Sequence, residues 1–140
     1  MPCGILQADL VIVHKGRREM LLLRGASLLR SYRIALGSAP VGHKQREGDG
    51  RTPEGGYTID RRNPRSQYHL SLHISYPNPA DRARAAELGV DPGGDIMIHG
   101  LKDGIRPEGD WTHGCIAVTD REMDEIWALV PDGTPIRIEP

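Results

Sequence analysis

Glycine and proline interrupt this chain so often that only short regular elements fit between them. The 140 residues include Gly 17 and Pro 11, and both residue types favour turns over the interiors of helices and strands. Phe is absent, and the segments between the turns are rich in Ile, Leu and Val, which suit strands. We therefore predict a mainly β fold. At this length we expect a single domain over residues 1–140, with its core at about 9–138.

The charge and hydropathy patterns exclude two classes of partner. A formal net charge of -1 lacks the basic excess of a nucleic-acid-binding domain. No apolar run approaches the roughly 20 residues of a membrane span, so we predict neither a nucleic-acid partner nor a span. Residues 1–5 also lack the basic start and apolar stretch of a secretory signal. Retention inside the cell, another export route and a signal missing from this chain all remain open.

Alternating apolar residues predict a series of strands. Residues 9–13, 19–23 and 28–36 are three such runs joined by glycine-containing turns, which favours antiparallel hairpins over a parallel sheet. Later runs predict strands at 57–59, 70–76, 95–98 and 135–138.

Capping residues predict the boundaries of two helices. Asn78 can cap a helix over 79–88 that ends at Gly89. Thr119 and Glu122 match a capping box for a second helix. Its inner face is predicted to carry four apolar residues: Met123, Ile126, Trp127 and Val130. This spacing favours Trp127 as a core residue over a cofactor contact.

Two polar loops separate these elements, over residues 37–56 and 101–110. The first mixes basic and acidic side chains with glycine. It is either a solvated loop or a loop folded over a site that receives an anionic substrate.

Two short segments carry the chemistry. Thr112-His113-Gly114-Cys115-Ile116 places a cysteine after a glycine, and Ile98-His99-Gly100 delivers a histidine at a predicted strand end. A thiol nucleophile needs a base to ionise it and N–H donors for the oxyanion. We expect Cys115 to be the nucleophile and His99 the base, because His99 is better anchored than His113, which we expect to shape the site. Gly114 leaves room for the backbone N–H of Cys115 to serve as oxyanion donor.

Three other interpretations of Cys115 compete with this one. A cysteine can be a small buried apolar residue. His99, His113 and Cys115 could bind zinc, although a fourth ligand is missing nearby. Cys3 and Cys115 could form a disulfide, but Cys3 lies at a terminus that tends to fray.

These residues together resemble the L,D-transpeptidase catalytic domain, or YkuD family. Its signature is a His-Gly pair followed by Ser/Thr-His-Gly-Cys and an aliphatic residue, matched by His99-Gly100 and 112–116. Residues 48–57 also resemble the family's turn before a strand, with its Thr-Pro-x-Gly core at Thr52 to Gly55.

The resemblance implies a β-sandwich or barrel with two short helices. It implies a cysteine acyl-enzyme acting on diaminopimelate-containing peptidoglycan stem peptides, which releases a terminal D-amino acid and forms 3→3 cross-links or exchanges that residue. Cys115, His99, His113 and Gly114 are then catalytic, and His113 would orient His99 through its backbone carbonyl. The expected substrate contacts are Tyr76, Trp111 and Gly100. We expect no metal or cofactor, a monomer, and a periplasmic or wall-facing location.

One departure leaves the reaction open. Many members have Arg two residues after the cysteine, where this chain has Ala117. With Asp110-Trp111 and the Ser71 to Asn78 segment, this variant resembles the YafK-type branch, which includes an enzyme that detaches a lipoprotein from the wall. A peptidase or amidase, an antibacterial effector with the same fold, and a non-catalytic peptidoglycan-binding module are therefore alternatives.

Overall fold

A computed structural model describes residues 6–140, so Cys3, and with it the possible disulfide, lies outside the described residues. The described chain forms eight strands and two helices. In chain order these are β1 (Leu10–His14), β2 (Glu19–Arg24), β3 (Ser27–Arg33), β4 (Gly55–Ser66), β5 (His69–Ile74), α1 (Pro79–Leu88), β6 (Met97–His99), β7 (Ile116–Ala117), α2 (Asp120–Leu129) and β8 (Pro135–Glu139).

The strands form one sheet in the order β3-β2-β1-β8-β4-β5-β6-β7. The predicted antiparallel hairpins are confirmed, since β1 pairs with β2 and β2 with β3. Two neighbouring pairs are parallel instead: β1 with β8, and β6 with β7. The second of these parallel pairs carries the site.

The sheet curls until its two edge strands approach each other. Ala35, just beyond β3, donates to the carbonyl of Ala117 in β7 at 3.0 Å and accepts from its N–H at 2.9 Å. Aliphatic side chains fill the interior, among them Leu72, Ile98 and Ile116, all fully buried. The predicted fold class, a mainly β sandwich or barrel with two short helices, is confirmed.

Both predicted helix caps are present. The Asn78 side chain accepts from the N–H of Asp81 at the start of α1, and Gly89 ends that helix with φ 69°. Thr119 and Glu122 form the expected capping box of α2. Trp127 on α2 is partly buried against the core, with the Arg62 guanidinium 4.6 Å from the centre of its ring. Neither described helix is long and apolar enough to cross a bilayer.

The largest difference from the predicted elements is β4, which spans twelve residues where only 57–59 were expected. Its second half, with Arg61, Arg62, Asn63 and Pro64, has no apolar alternation. That half is a strand because it pairs with β5, a long-range contact that a local pattern cannot reveal.

Candidate active site

The parallel pair β6–β7 brings the two predicted catalytic residues to one face of the sheet. Ile98 pairs with Ile116 and His99 with Ala117. Cys115 lies immediately before β7, two residues from Ala117, so its side chain emerges on the same face as that of His99. Both residues line one open cavity of about 730 Å³. The sixteen-residue separation in sequence is therefore closed by strand pairing.

The imidazole of His99 is held in one orientation. Its Nδ1 lies 2.7 Å from the backbone carbonyl of Gly100. Because a carbonyl oxygen only accepts, Nδ1 carries the proton, and Nε2 of the neutral ring keeps a free lone pair. Tyr68 stacks on the ring at 4.4 Å between centroids, and Trp111 lies against it at 5.7 Å.

Burial keeps this imidazole neutral. His99 is only 4% exposed. That burial lowers the pKa of His99 below its ordinary value, and the Gly100 carbonyl offsets the effect only in part. The ring is therefore a proton acceptor at neutral pH.

The thiol of Cys115 is also neutral at rest. Burial raises the pKa of Cys115, and the charge of Asp95 adds to this, against lowering by a backbone hydrogen bond from Met97 and by Lys44. The Sγ donates to the Asp95 carbonyl at 3.3 Å. The S–H is thus directed at the Asp95 carbonyl, and a hydrogen bond to His99 would require it to turn.

The turn that carries Cys115 is held in part by two hydrogen bonds of the Thr112 hydroxyl. It accepts from the N–H of Gly114 at 3.1 Å and donates to the carbonyl of Cys115 at 2.7 Å. Gly114 has φ +131°, and a Cβ there would lie 2.6 Å from the carbonyl oxygen of Arg51. Only glycine fits this position without strain.

The amide of Cys115 is available as an oxyanion donor. Two nearby amides are engaged, since Gly114 N–H donates to Thr112 and Ala117 N–H to Ala35. Among the hydrogen bonds of residues 6–140, none has the Cys115 N–H as donor. A free backbone donor beside a thiol can stabilise a developing oxyanion.

The 37–56 loop is folded over the site. Lys44 is buried at its base, 3.0 Å from Asp49, and lines the cavity together with Glu47 and Gly48. Lys44 is therefore not a solvated loop residue, as one of the two interpretations of this segment expected, but is buried beside the cavity. Arg46, by contrast, is exposed.

Two predicted site residues need a revised description. His113 is exposed and lines the cavity, but the carbonyl that orients His99 belongs to Gly100 and not to His113. Gly100 is itself buried, and a Cβ there would meet Asp120 Oδ1 at 2.6 Å. Gly100 is not among the residues that line the cavity, and its carbonyl is hydrogen-bonded to His99. Trp111 does line the cavity.

Tyr76 is misplaced among the expected substrate contacts. Its ring is 2% exposed and packs edge-on against Tyr57. Its hydroxyl donates to the Pro92 carbonyl at 2.7 Å. Tyr76 is therefore a core residue and is not among those that line the cavity.

Tyr68 and Asp95 belong to the site but were missed by sequence reasoning. Tyr68 lies in the β4–β5 turn and reaches His99 only because β5 pairs with β6. Asp95 contributes its backbone carbonyl and has φ 54°. A pattern of side-chain types in the sequence cannot predict a contact made by a backbone carbonyl. In the described chain His99, His113 and Cys115 do not form a group that could hold a metal ion.

The amino-acid sequence is similar to that of a known bacterial protein. The chain is 39% identical over 105 residues to the Escherichia coli K12 protein named "Putative L,D-transpeptidase YafK"; the match covers 74% of this chain and 37% of that relative. This chain thus aligns with well under half of its relative's length.

Solved structures show the same fold. The helical cell shape determining protein Pgp2 of Campylobacter jejuni superposes with a TM-score of 0.75 at 27% identity, over 93% of this chain and 46% of that one. An L,D-transpeptidase of Xylanimonas cellulosilytica superposes with a TM-score of 0.62 at 17% identity, over 96% and 61% respectively. The family model of the YkuD L,D-transpeptidase catalytic domain matches residues 8–138. The predicted resemblance is confirmed: this chain belongs to the YkuD family of L,D-transpeptidase catalytic domains.

Proposed function

We propose that this chain is a cysteine acyltransferase acting on peptidoglycan stem peptides that contain diaminopimelate. The observation that carries the proposal is that Cys115, just before β7, and His99, in the adjacent parallel strand β6, line one open cavity. Family membership supports the choice of substrate. Such a substrate also favours a periplasmic or wall-facing location.

The first half-reaction forms a thioester. The Cys115 proton passes to Nε2 of His99 as Sγ bonds to the stem-peptide carbonyl carbon, and the carbonyl oxygen takes up the negative charge beside the Cys115 N–H. The tetrahedral intermediate collapses when the C–N bond breaks, and His99 returns the proton to the departing terminal D-amino acid. The acyl group is then on Cys115.

The second half-reaction releases the acyl group. An amine of a neighbouring stem, or of a free D-amino acid, attacks the thioester carbonyl while His99 accepts its proton. The C–S bond breaks and the proton returns to sulfur. The products are a 3→3 cross-link or an exchanged terminal residue, and water as acceptor gives hydrolysis instead.

A neutral resting pair suits this sequence of steps. A free cysteine with pKa about 8.5 is only a few per cent thiolate at pH 7, and the raised pKa of Cys115 makes that fraction smaller. His99 therefore acts as a general base during attack, which typically contributes about 10²–10⁴-fold.

The test is product analysis with purified disaccharide tetrapeptide. Liquid chromatography with mass spectrometry is expected to show loss of the terminal D-amino acid, with dimers as amine products or tripeptide as the water product. Cys115→Ala, checked for folding, should abolish all three. Unchanged muropeptides with folded wild-type protein, or equal turnover by Cys115→Ala, would contradict the proposal. Muropeptide binding without product would favour the non-catalytic module.

A further inference from the structure

We propose that Thr52 is a positioning residue that holds the backbone amide of Cys115 in place as the oxyanion donor. The proposal rests on the proposed acyl-transfer function and adds a residue from outside the catalytic motif. Thr52 is 0% exposed. Its hydroxyl donates to the carbonyl of Gly114 at 2.8 Å.

That carbonyl and the Cys115 N–H belong to the same peptide unit. In a trans peptide the C=O and N–H point in opposite directions, so a donor that fixes the oxygen also turns the N–H of Cys115 away from Thr52. A hydrogen bond to the carbonyl also polarises the peptide unit and strengthens its N–H as a donor. Gly114, with φ +131°, has no Cβ to restrict this peptide, so an external anchor is needed.

Thr52 is itself held by a buried lysine. Lys15, 2% exposed, donates from Nζ to the Thr52 carbonyl at 2.7 Å and to the Gly42 carbonyl at 2.8 Å. Its charge is met by Glu54 at 3.1 Å. The anchor is therefore part of a network in which the Lys15 ammonium group has three partners.

The experiment separates oxyanion stabilisation from thiol reactivity. Thr52→Val removes the hydroxyl at nearly constant volume, and Thr52→Ser keeps it; all proteins carry Cys3→Ser so that Cys115 is the remaining thiol. One probe is p-nitrophenyl acetate: Sγ bonds to the acetyl carbon through an oxyanion, and p-nitrophenolate leaves. The other is iodoacetamide, where Sγ displaces iodide from carbon and no oxyanion forms.

Thr52→Val is expected to lower the acylation rate of Cys115 by on the order of tenfold or more, since losing one oxyanion donor costs about 10²–10³. Its alkylation rate should stay within about twofold, and Thr52→Ser should restore acylation. Equal acylation by Thr52→Val and wild type would overturn the proposal. A parallel fall in both reactions, or wild-type acylation no faster than that of the unfolded protein, would also overturn it.

Two provisions keep the outcome decisive. If Thr52→Val fails to fold, Thr52→Ser and Thr52→Ala make the same comparison of a hydroxyl present or absent. Since p-nitrophenyl acetate is not a wall fragment, a selective loss in Thr52→Val alongside inactivity on muropeptides would reject the proposed substrate and keep the role of Thr52. If wild type turns over muropeptides but Thr52→Val is acylated at the wild-type rate, the proposed substrate is kept and the role of Thr52 is rejected.

Discussion

Replacing Gly114 with alanine tests whether the turn that precedes Cys115 is as tightly enclosed as the structure indicates. The added Cβ would lie 2.6 Å from the carbonyl oxygen of Arg51 and 3.2 Å from Cδ1 of Ile96. The first contact is with backbone, so it cannot be relieved by rotating a side chain. Gly55 offers a matched control, because its φ of +119° is similar and a Cβ added there would have no neighbouring atom within 4 Å.

The expected loss of stability follows from this comparison. A positive φ for alanine costs about 1–3 kcal/mol, and both Gly114→Ala and Gly55→Ala carry that cost. Only Gly114→Ala also displaces the turn from Thr52 and Thr112, with two hydrogen bonds worth about 1 kcal/mol each. The free energy of unfolding should fall by about 3–5 kcal/mol in Gly114→Ala, at least about 2 kcal/mol more than in Gly55→Ala.

Urea denaturation followed by tryptophan fluorescence measures both values. The acylation rate of Cys115 should also fall about 10²-fold in Gly114→Ala, since displacements near 1 Å can cost that much, and should change little in Gly55→Ala. If Gly114→Ala is no less stable than Gly55→Ala and is acylated at the same rate, the reasoning from close packing is refuted.

Three further results are expected. Because the pKa of His99 is lowered in the folded protein, the neutral imidazole contributes its full stability above about pH 6.5 and less as pH falls. The difference in free energy of unfolding between wild type and His99→Gln should therefore shrink between pH 7.5 and 5.5. A difference that stays constant over this range would contradict the lowered pKa. Peptide-resolved mass spectrometry can follow the rate of Cys115 alkylation by iodoacetamide as a function of pH. The raised pKa of Cys115 should put the pH midpoint of this profile above the ordinary cysteine pKa, and a midpoint below that pKa would contradict a neutral resting thiol. Lys15→Met leaves the Glu54 carboxylate without its partner and should cost about 3–5 kcal/mol of unfolding free energy, against under about 0.5 kcal/mol for the exposed Lys102→Met; equal values would remove Lys15 from the supporting network.

Local signals predicted much of this fold. The capping residues of both helices and the three N-terminal strands are local features, and the structure has them where the patterns indicated. Tyr76 shows the limit of a resemblance: the family likeness implied a substrate contact, while the structure buries this side chain in the core.

The remaining features depend on long-range pairing. β7 has only two residues, too few for any periodicity, yet it sets the position of Cys115. The stacking of Tyr68 on His99 requires the β4–β5 turn to fold over β6. Thr52 could be noticed in its Thr-Pro segment, but its bond to the Gly114 carbonyl spans 62 residues and becomes visible only in three dimensions.

The central claim is that Cys115 is the nucleophile and His99 its base. The most direct test is the rate at which a carbapenem forms a covalent adduct, with the modified residue located by peptide mass spectrometry. We predict an adduct on Cys115 in wild type and a rate of adduct formation lower by about 10²–10⁴-fold in His99→Gln. The rate should fall less in His113→Gln. It should equal the wild-type rate in His14→Gln, because the ring of His14 pairs with Glu139. An adduct on another residue, no adduct on folded wild type, or an unchanged rate in His99→Gln would contradict the claim.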